Sequence, residues 1–361
     1  MRALILADEF FASRERAMLE RLEVGLADEG VRVIHAIPDS LRDQPPGGVY
    51  SRVITYPSKL PWFMRGLVAG RLAKELEQLD DEEGTGDLDL IHAFGGGAWD
   101  IGVELAKDLD ALLVLEVWRS GLIDRARSIP RVAGRPPLLM APDPAIERKL
   151  VASGGEATVR LALWGVHATD PPRRIMGTGR APSAMLVGSG RDGPAFTAAL
   201  EGLAMASRVR PDMLIFCDAL AARRAGLWSL ARKLGLLDRF SLIGEIESRR
   251  DLLIQGDLLI QPDAHGEQRS TLLEAMAAGL VVVAREDPMS SILQDGVTAR
   301  LVKRGTAADW AATLESILTD IPAAQALGER AHEYVRVNRR ASAQVRAVLA
   351  AYEWRLGGVP G

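Results

Sequence analysis

Residues 262–284, PDAHGEQRSTLLEAMAAGLVVVA, join a polar loop, a short helical pattern and a buried strand. The helical part carries one carboxylate, Glu274, three residues after Thr271. This spacing is that of a capping box, in which the carboxylate reaches back to a backbone N–H at the start of the helix. A carboxylate at a loop–helix junction can also accept hydrogen bonds from a ligand. The segment therefore makes Glu274 a candidate for both roles.

Two glycine-rich stretches lie between a predicted strand and a predicted helix. GSGRDG (188–193) fits the pattern G-x-G-x-x-G, with Asp218 ending the next strand. Glycines let backbone N–H groups approach a phosphate, and the start of a helix favours an anion. A tight turn without a ligand explains the same residues, so both interpretations stay open, while a nicotinamide cofactor is not favoured. For GGG (95–97) the tight turn is the favoured interpretation.

The histidines and short acidic motifs do not predict a metal site. No two of the five histidines have the spacing of metal ligands; they are His35, His92, His167, His265 and His332. His92, in an apolar strand, is predicted to be structural, whereas His265 in the polar loop is a catalytic candidate. The two D-L-D motifs, 87–89 and 108–110, each precede a predicted strand, so we assign them no metal.

Composition restricts the classes of protein that the chain can represent. Its 361 residues are too many for one ordinary core and suit two domains. A net charge of −4 gives no general attraction to nucleic acid, so no nucleic-acid partner is expected. The single cysteine, Cys217, fits a reducing compartment, and neither a signal peptide nor a membrane-length apolar run is found. We expect a cytoplasmic protein.

One aromatic and basic stretch, LPWFMRGLVAGRLAKEL (60–76), has helical spacing. Such a helix can lie on a membrane surface. A surface helix whose apolar face is buried in the core is the favoured alternative, so membrane association is not favoured.

These motifs lie in two runs of alternating strands and helices. The predicted strands are 2–8, 32–38, 52–57, 88–94, 111–117 and 137–142, and then 184–189, 212–218, 239–245, 257–262 and 280–285. Their apolar runs are nearly continuous, as in parallel strands covered by helices on both faces. We predict two Rossmann-like domains with a ligand cleft between their strand ends. The expected boundaries are 1–167, a linker at 168–182, 183–340, and a C-terminal segment at 341–361, while the acidic stretch 78–87 is predicted to be a loop.

The motif order resembles that of the retaining glycosyltransferases of family 4, which have the GT-B fold. LLIQPD, LLEAMAAG, LVVVA and the later DGVTARLV (295–302) follow the family's nucleotide-binding segment in order and spacing. The resemblance extends over most of the chain, through DLDLIHAF (87–94), LLMAPDPAIERKLVASG (138–154) and LWGVHATDPP (163–172). It implies that the C-terminal helix crosses back to the first domain.

The resemblance also implies roles for individual residues. Glu274 matches a glutamate that accepts hydrogen bonds from the ribose hydroxyls of a nucleotide sugar. The expected donor-binding residues are Gly188, Ser189, Gly190, Arg191, Gly266, Arg269, Ser270, Thr271 and Glu274. The catalytic candidates are Glu267, His265 and Arg119.

Several polar positions depart from the family pattern. Gly266 stands where the family has a glutamate that touches the sugar, with Glu267 one residue late. Ser189 and Pro194 stand where the family has an arginine and a lysine on the diphosphate, and Trp118 where it often has a histidine. The first strand opens into DEFFASRER, which lacks the family's glycines. Loss of two cations lowers donor affinity by about two to four decades.

The expected function is transfer of a sugar from a nucleotide sugar, with retention and without cofactor or metal. The acceptor is a glycan, a lipid or a small molecule. One alternative is a catalytically silent relative that binds a sugar, a nucleotide or a protein. The other is a sugar-nucleotide epimerase-like or dinucleotide-binding protein.

Overall fold

The structure is a computed structural model, and the chain divides into two compact units. It describes residues 1–43, 45, 51–59, 61–83, 87–132, 134–155, 158–168, 170–177, 179–244 and 250–357. One unit comprises Met1–Trp164 with Ala341–Gly361, and the other comprises Gly165–Arg340.

The first unit is built on a parallel sheet. Its described strands are β1 (Arg2–Ala7), β2 (Arg32–Pro38), β3 (Arg52–Tyr56), β4 (Leu90–Phe94), β5 (Leu112–Glu116), β6 (Leu138–Ala141) and β7 (Val159–Leu161). The helices between them are α1 (Glu9–Arg14), α2 (Arg16–Asp28), α3 (Arg65–Glu83), α4 (Trp99–Asp108), α5 (Ile123–Ser128) and α6 (Pro144–Leu150). The strand order is β3-β2-β1-β4-β5-β6-β7, so the order reverses between β1 and β4.

The second unit repeats this plan. Its described strands are β8 (Ser183–Leu186), β9 (Leu214–Asp218), β10 (Phe240–Ile243), β11 (Leu258–Gln261), β12 (Val281–Arg285) and β13 (Ala299–Val302). Its helices are α7 (Gly193–Ala206), α8 (Ala219–Ala225), α9 (Leu227–Lys233), α10 (Arg250–Leu253), α11 (Ser270–Ala277), α12 (Ala307–Thr319) and α13 (Ile321–Asn338). The order β10-β9-β8-β11-β12-β13 reverses between β8 and β11. The predicted α/β class with two parallel sheets is therefore confirmed.

The opening DEFFASRER forms α1 directly after β1, with Asp8 as the helix cap. Some local predictions were wrong. The acidic stretch predicted as a loop is mostly the end of α3, which runs to Glu83, while residues 84–86 lie outside the described part of the chain. Strands β7 and β13 were not predicted, since each has only three or four residues and is partly exposed.

Helix α3 buries one face, as the favoured interpretation of 60–76 predicted. Val68, Leu72 and Leu76 are buried in the first unit. Near its start Phe63 and Leu67 are 69% and 70% exposed, so the buried face covers only part of the helix. Among the described residues, no helix combines the length and the apolar character needed to cross a membrane.

A buried aspartate fixes the chain that leads into the second sheet. Asp257, just before β11, is fully buried and accepts hydrogen bonds from the backbone N–H groups of Met176 at 2.7 Å and Ser183 at 2.9 Å. The guanidinium groups of Arg173 and Arg180 pair with the same carboxylate. The Pro- and Gly-rich stretch predicted as a linker is thus anchored to the base of β11.

His92 on β4 belongs to a buried polar network in the first unit. Its Nδ1 lies 2.7 Å from the hydroxyl of Tyr352, and its Nε2 lies 3.2 Å from Oε2 of Glu116. Burial and the charge of Glu116 raise the pKa of Tyr352, so the phenol stays protonated. The indole N–H of Trp164 donates to the other oxygen of Glu116 at 2.7 Å. The prediction that His92 is structural is confirmed.

Tyr352 lies on the last helix, α14 (Ala341–Leu356), which packs on α2. Gly25 of α2 leaves room for Val345 of α14, because an added Cβ would overlap the valine side chain. The C-terminal helix is therefore part of the first unit's core.

Tyr352→Phe is expected to lower the free energy of unfolding by about 1–3 kcal/mol, because it leaves Nδ1 of His92 buried without its hydrogen-bond partner. The shift of the urea-denaturation midpoint measures this loss. Tyr334→Phe, at a half-buried tyrosine of α13, is the matched control. Equal midpoints for the two variants would show that the hydrogen bond to His92 contributes nothing.

Candidate functional site

The glycine loop for which both a phosphate site and a plain tight turn stayed open lies at the carboxyl end of β8, where the strand order of the second sheet reverses. In open α/β sheets ligands bind at this point. Gly188 and Gly190 have φ values of +134° and +68°, which side-chain-bearing residues rarely adopt. A Cβ on Gly190 would lie 2.6 Å from Cα of Ala221, so this glycine is needed for close packing against α8.

A carboxylate from the neighbouring strand lies against this loop. Asp263 follows β11, and its Oδ2 accepts hydrogen bonds from the backbone N–H of Ser189 at 2.8 Å and from its hydroxyl at 2.7 Å. Asp263 is 6% exposed and Ser189 2% exposed. The sequence motifs indicated Ser189 as a candidate but gave no sign of Asp263, because Ser189 and Asp263 are 74 residues apart in the sequence.

The cations near the loop are arginines. Arg224 of α8 donates to the carbonyl of Ser189 at 3.0 Å. Arg191 is exposed. Helix α7 starts two residues later, where the side chain of Asp192 accepts from the N–H of Ala195 at 3.1 Å. Pro194, at the position of the family's lysine, is in the first turn of α7 and lines a cavity of about 450 Å³ together with Pro262, Arg285 and Trp310.

The polar loop before α11 is held by buried contacts. Gly266 has a φ of +63°, and its N–H donates to Oδ2 of Asp287 at 2.8 Å. A glutamate at this position would be strained in this backbone conformation. Gln268 donates to the carbonyl of Met289 at 2.6 Å. The loop is therefore fixed to the segment that follows β12.

The three charged candidates of this loop differ in exposure. Glu267 is 7% exposed and Arg269 3% exposed, whereas His265 is on the surface. Arg269 is the residue that precedes α11, and its backbone is extended, with φ −135° and ψ 117°. Its burial means that replacing Arg269 by alanine would disturb packing as well as charge.

The predicted capping box at Thr271 and Glu274 was wrong. Helix α11 begins at Ser270, so Thr271 is already inside the helix and cannot be its N-terminal cap. The capping position falls on Arg269, which makes no capping side-chain bond. Thr271 and Glu274 are each 1% exposed. The hydroxyl of Thr271 has no hydrogen-bond partner among the described residues.

The first sheet places a carboxylate at the corresponding point, between β1 and β4. Asp8 accepts hydrogen bonds from the N–H groups of Phe11 at 2.8 Å and Gly97 at 2.7 Å. Burial raises the pKa of Asp8, although these amides and the charges of Arg119 and Arg125 lower it in part. Gly95, with a φ of +82°, has no room for a side chain because Asp8 packs against it. The favoured reading of GGG as a tight turn is confirmed.

Trp118, at the position of the family's histidine, belongs to an aromatic cluster. It is 2% exposed, and its ring centroid lies 5.9 Å from that of Phe10 and 5.4 Å from that of Phe11. The guanidinium of Arg119, a catalytic candidate, lies 5.3 Å from the Trp118 ring centroid. Trp118 therefore fills the first unit's core next to α1.

Asp89 and Cys217 are two further groups that could carry chemistry. Among the described residues, no cluster of three or more histidine, cysteine or carboxylate side chains is arranged around a metal position. Asp89 of the first D-L-D motif accepts from the N–H of Arg2 at 2.7 Å. Cys217 is buried, and burial and the charge of Asp218 raise the pKa of its thiol, so it is not a reactive thiolate.

Comparison with known proteins bears on the second unit and on the fold. The family model described as "Glycosyl transferases group 1" matches residues 185–320, which include the glycine loop and α11 but less than half of the chain. No curated protein sequence matches the chain.

Several solved structures share the fold. HepE from Anabaena, solved with UDP and glucose, has a TM-score of 0.73 and 15% identity, covering 99% of this chain and 100% of that chain. Sucrose-phosphate synthase from Thermosynechococcus elongatus has a TM-score of 0.73 and 16% identity, with coverage of 99% and 100%. WaaG, a glycosyltransferase involved in lipopolysaccharide biosynthesis, has a TM-score of 0.62 and 17% identity, with coverage of 99% and 100%. The predicted GT-B fold is confirmed.

Proposed function

We propose that the chain is a glycosyltransferase that takes a sugar from a nucleotide sugar and retains its anomeric configuration. The observation that carries this proposal is the hydroxyl of Thr271, which is buried in the first turn of α11 without a partner among the described residues. Buried polar groups are nearly always hydrogen-bonded, so a partnerless hydroxyl at a ligand-binding edge suits a group that a ligand satisfies. The match of residues 185–320 to a glycosyltransferase family model and the UDP bound to HepE support a nucleotide sugar as that ligand.

The proposed binding residues lie near the carboxyl ends of β8 and β11, the neighbouring strands between which the strand order reverses. Glu274 accepts the ribose hydroxyls, and Ser270 and Thr271 offer donors at the start of α11. Arg191 and Arg224 supply positive charge beside the Gly188–Gly190 loop. In the second unit, Glu267 and His265 remain the candidates for contact with the reacting sugar.

In the proposed reaction the bond between the anomeric carbon and the diphosphate oxygen breaks, and its electron pair stays on the diphosphate. The oxygen of an acceptor hydroxyl forms the new bond to the same carbon, and its proton passes to the leaving diphosphate. Arginines and helix amides stabilise the leaving diphosphate without a metal. The acceptor is a hydroxyl of a glycan, a lipid or a small molecule.

Calorimetry with UDP, ADP, GDP and UDP-glucose tests the site. We expect Glu274→Gln to weaken nucleotide binding about 10- to 100-fold, since hydrogen bonds to a charged acceptor contribute about 1.5–3 kcal/mol. Glu315→Gln, at a half-buried glutamate of α12, should bind like the wild type. If the wild type binds none of these ligands at millimolar concentration, the proposal is wrong.

Thr271→Val provides a second readout in the same experiment. The hydroxyl lacks a protein partner, so its removal should leave the urea-denaturation midpoint unchanged or slightly raised while nucleotide binding weakens. A lower midpoint with unchanged binding would make Thr271 a structural residue only.

A catalytically silent binding protein is the second candidate. The burial of Trp118 and the carboxylate beside the glycine loop favour it, because they replace groups that would act on the sugar or its diphosphate. Assays of donor hydrolysis and transfer separate the two candidates. Nucleotide binding without turnover would establish the silent protein.

A further inference from the structure

Several backbone N–H groups at the carboxyl edge of the second sheet donate hydrogen bonds to carboxylates of the protein itself. Besides Ser189 on Asp263, Ala195 donates to Asp192, Ala221 to Asp218, and Gly266 to Asp287. Backbone N–H groups at such an edge are the donors that otherwise cradle a phosphate. Here the edge supplies both the donors and the anions that accept from them.

Asp263 is the carboxylate placed inside the glycine loop itself. A Cβ on Gly188 would lie 2.5 Å from its Oδ1, so the space that this glycine leaves is taken up by the carboxylate. Its other oxygen holds the N–H and hydroxyl of Ser189. The carboxylate of Asp263 therefore occupies the space beside Gly188 and accepts the hydrogen bonds that a phosphate bound in this loop would accept.

We propose that Asp263 determines the ligand specificity of the second unit by occupying the anion position of the Gly188–Gly190 loop. A diphosphate that enters the loop must displace this carboxylate or bind beside it against a like charge, which weakens its binding. A ligand with an uncharged group at the loop meets no such penalty. The inference rests on the proposed function, because it assumes that a nucleotide binds at this edge.

The charges around the loop are of both signs. Arg224 already donates to the carbonyl of Ser189, and the closest carboxylate along the chain, Asp192, adds a second negative charge at the start of α7. The family's arginine position is Ser189, which binds Asp263 instead of a phosphate. Removing the charge of Asp263 alone should therefore improve diphosphate binding.

The test compares the wild type with Asp263→Asn and Asp263→Ser by calorimetry, with UDP and uridine as probes. The asparagine keeps an oxygen that accepts from Ser189, and the serine also removes the bulk. We expect both variants to bind UDP about 10- to 100-fold more tightly than the wild type, with uridine affinity unchanged. The gain should change little at high salt, because a carboxylate that is only 6% exposed is screened much less than a surface charge.

Asp320→Asn is the matched control, because this aspartate also accepts a backbone N–H, that of Ala323 at 3.0 Å, but on α13 outside the loops of this edge. It should leave UDP affinity unchanged. If Asp263→Ser fails to fold, Asp263→Asn decides the outcome.

The outcomes separate this inference from the proposed function. Wild type and variants that bind UDP equally well would overturn the role of Asp263 and leave the proposed function standing. Equal gains for UDP and uridine would also overturn it, since charge would not be the cause. No binding of UDP or uridine by any form would overturn both.

Discussion

Asp257→Ala is expected to lower the free energy of unfolding of the second unit by about 3–5 kcal/mol. The change leaves the N–H groups of Met176 and Ser183 without their acceptor in a fully buried position. It also leaves the charges of Arg173 and Arg180 unpaired next to the sheet. Urea denaturation followed by tryptophan fluorescence measures the loss, since Trp228 and Trp310 lie in this unit.

Asp212→Ala is the control for Asp257. Its carboxylate pairs with Arg210 at the surface, so its removal should cost less than about 1 kcal/mol. Asp257→Asn should fall between the two, because it retains one acceptor without the charge. Similar midpoints for Asp257→Ala and Asp212→Ala would contradict the anchoring role of Asp257.

Trp118→Ala is expected to destabilise the first unit by about 3–5 kcal/mol, the usual cost of removing a buried tryptophan side chain. The tryptophan packs against Phe10 and Phe11, and the substitution leaves a cavity between α1 and the sheet. Loss of activity in this variant would follow from loss of structure. The unfolding midpoint and near-UV circular dichroism measure the effect.

Trp118→Phe separates packing from chemistry. The indole N–H of Trp118 has no hydrogen-bond partner in the described part of the chain, so phenylalanine loses volume but no hydrogen bond. We expect it to fold and to retain ligand binding and any turnover. A folded Trp118→Phe protein that binds ligand but has lost turnover would instead give Trp118 a part in the reaction.

The sequence was sufficient to predict the two parallel sheets, because their apolar strands alternate regularly with helical patterns. It also identified the loop at Gly188 and the segment around Glu274. It did not predict the start of α11. Ser270 and Thr271 are both common capping residues, and the start is fixed by contacts of the preceding loop, such as that of Gln268 with Met289.

The carboxylates at the strand ends were beyond local sequence patterns. Asp8 binds Gly97 across 89 residues, and Asp263 binds Ser189 across 74 residues. Only the parallel pairing of β1 with β4 and of β8 with β11 brings these groups together. Short sequence motifs identify the glycines, but they do not show that a carboxylate occupies the space beside them.

The position of Tyr352 has a consequence for biosynthesis. The residue that completes the His92 network comes 260 residues after it, beyond the entire second unit. During translation the first unit emerges with one face of α2 uncovered and His92 lacking its phenol partner. The second unit is contiguous and can complete its core first. The first unit is therefore the first to be synthesised and the last to complete its fold. Its uncovered surface is exposed on the ribosome throughout that interval.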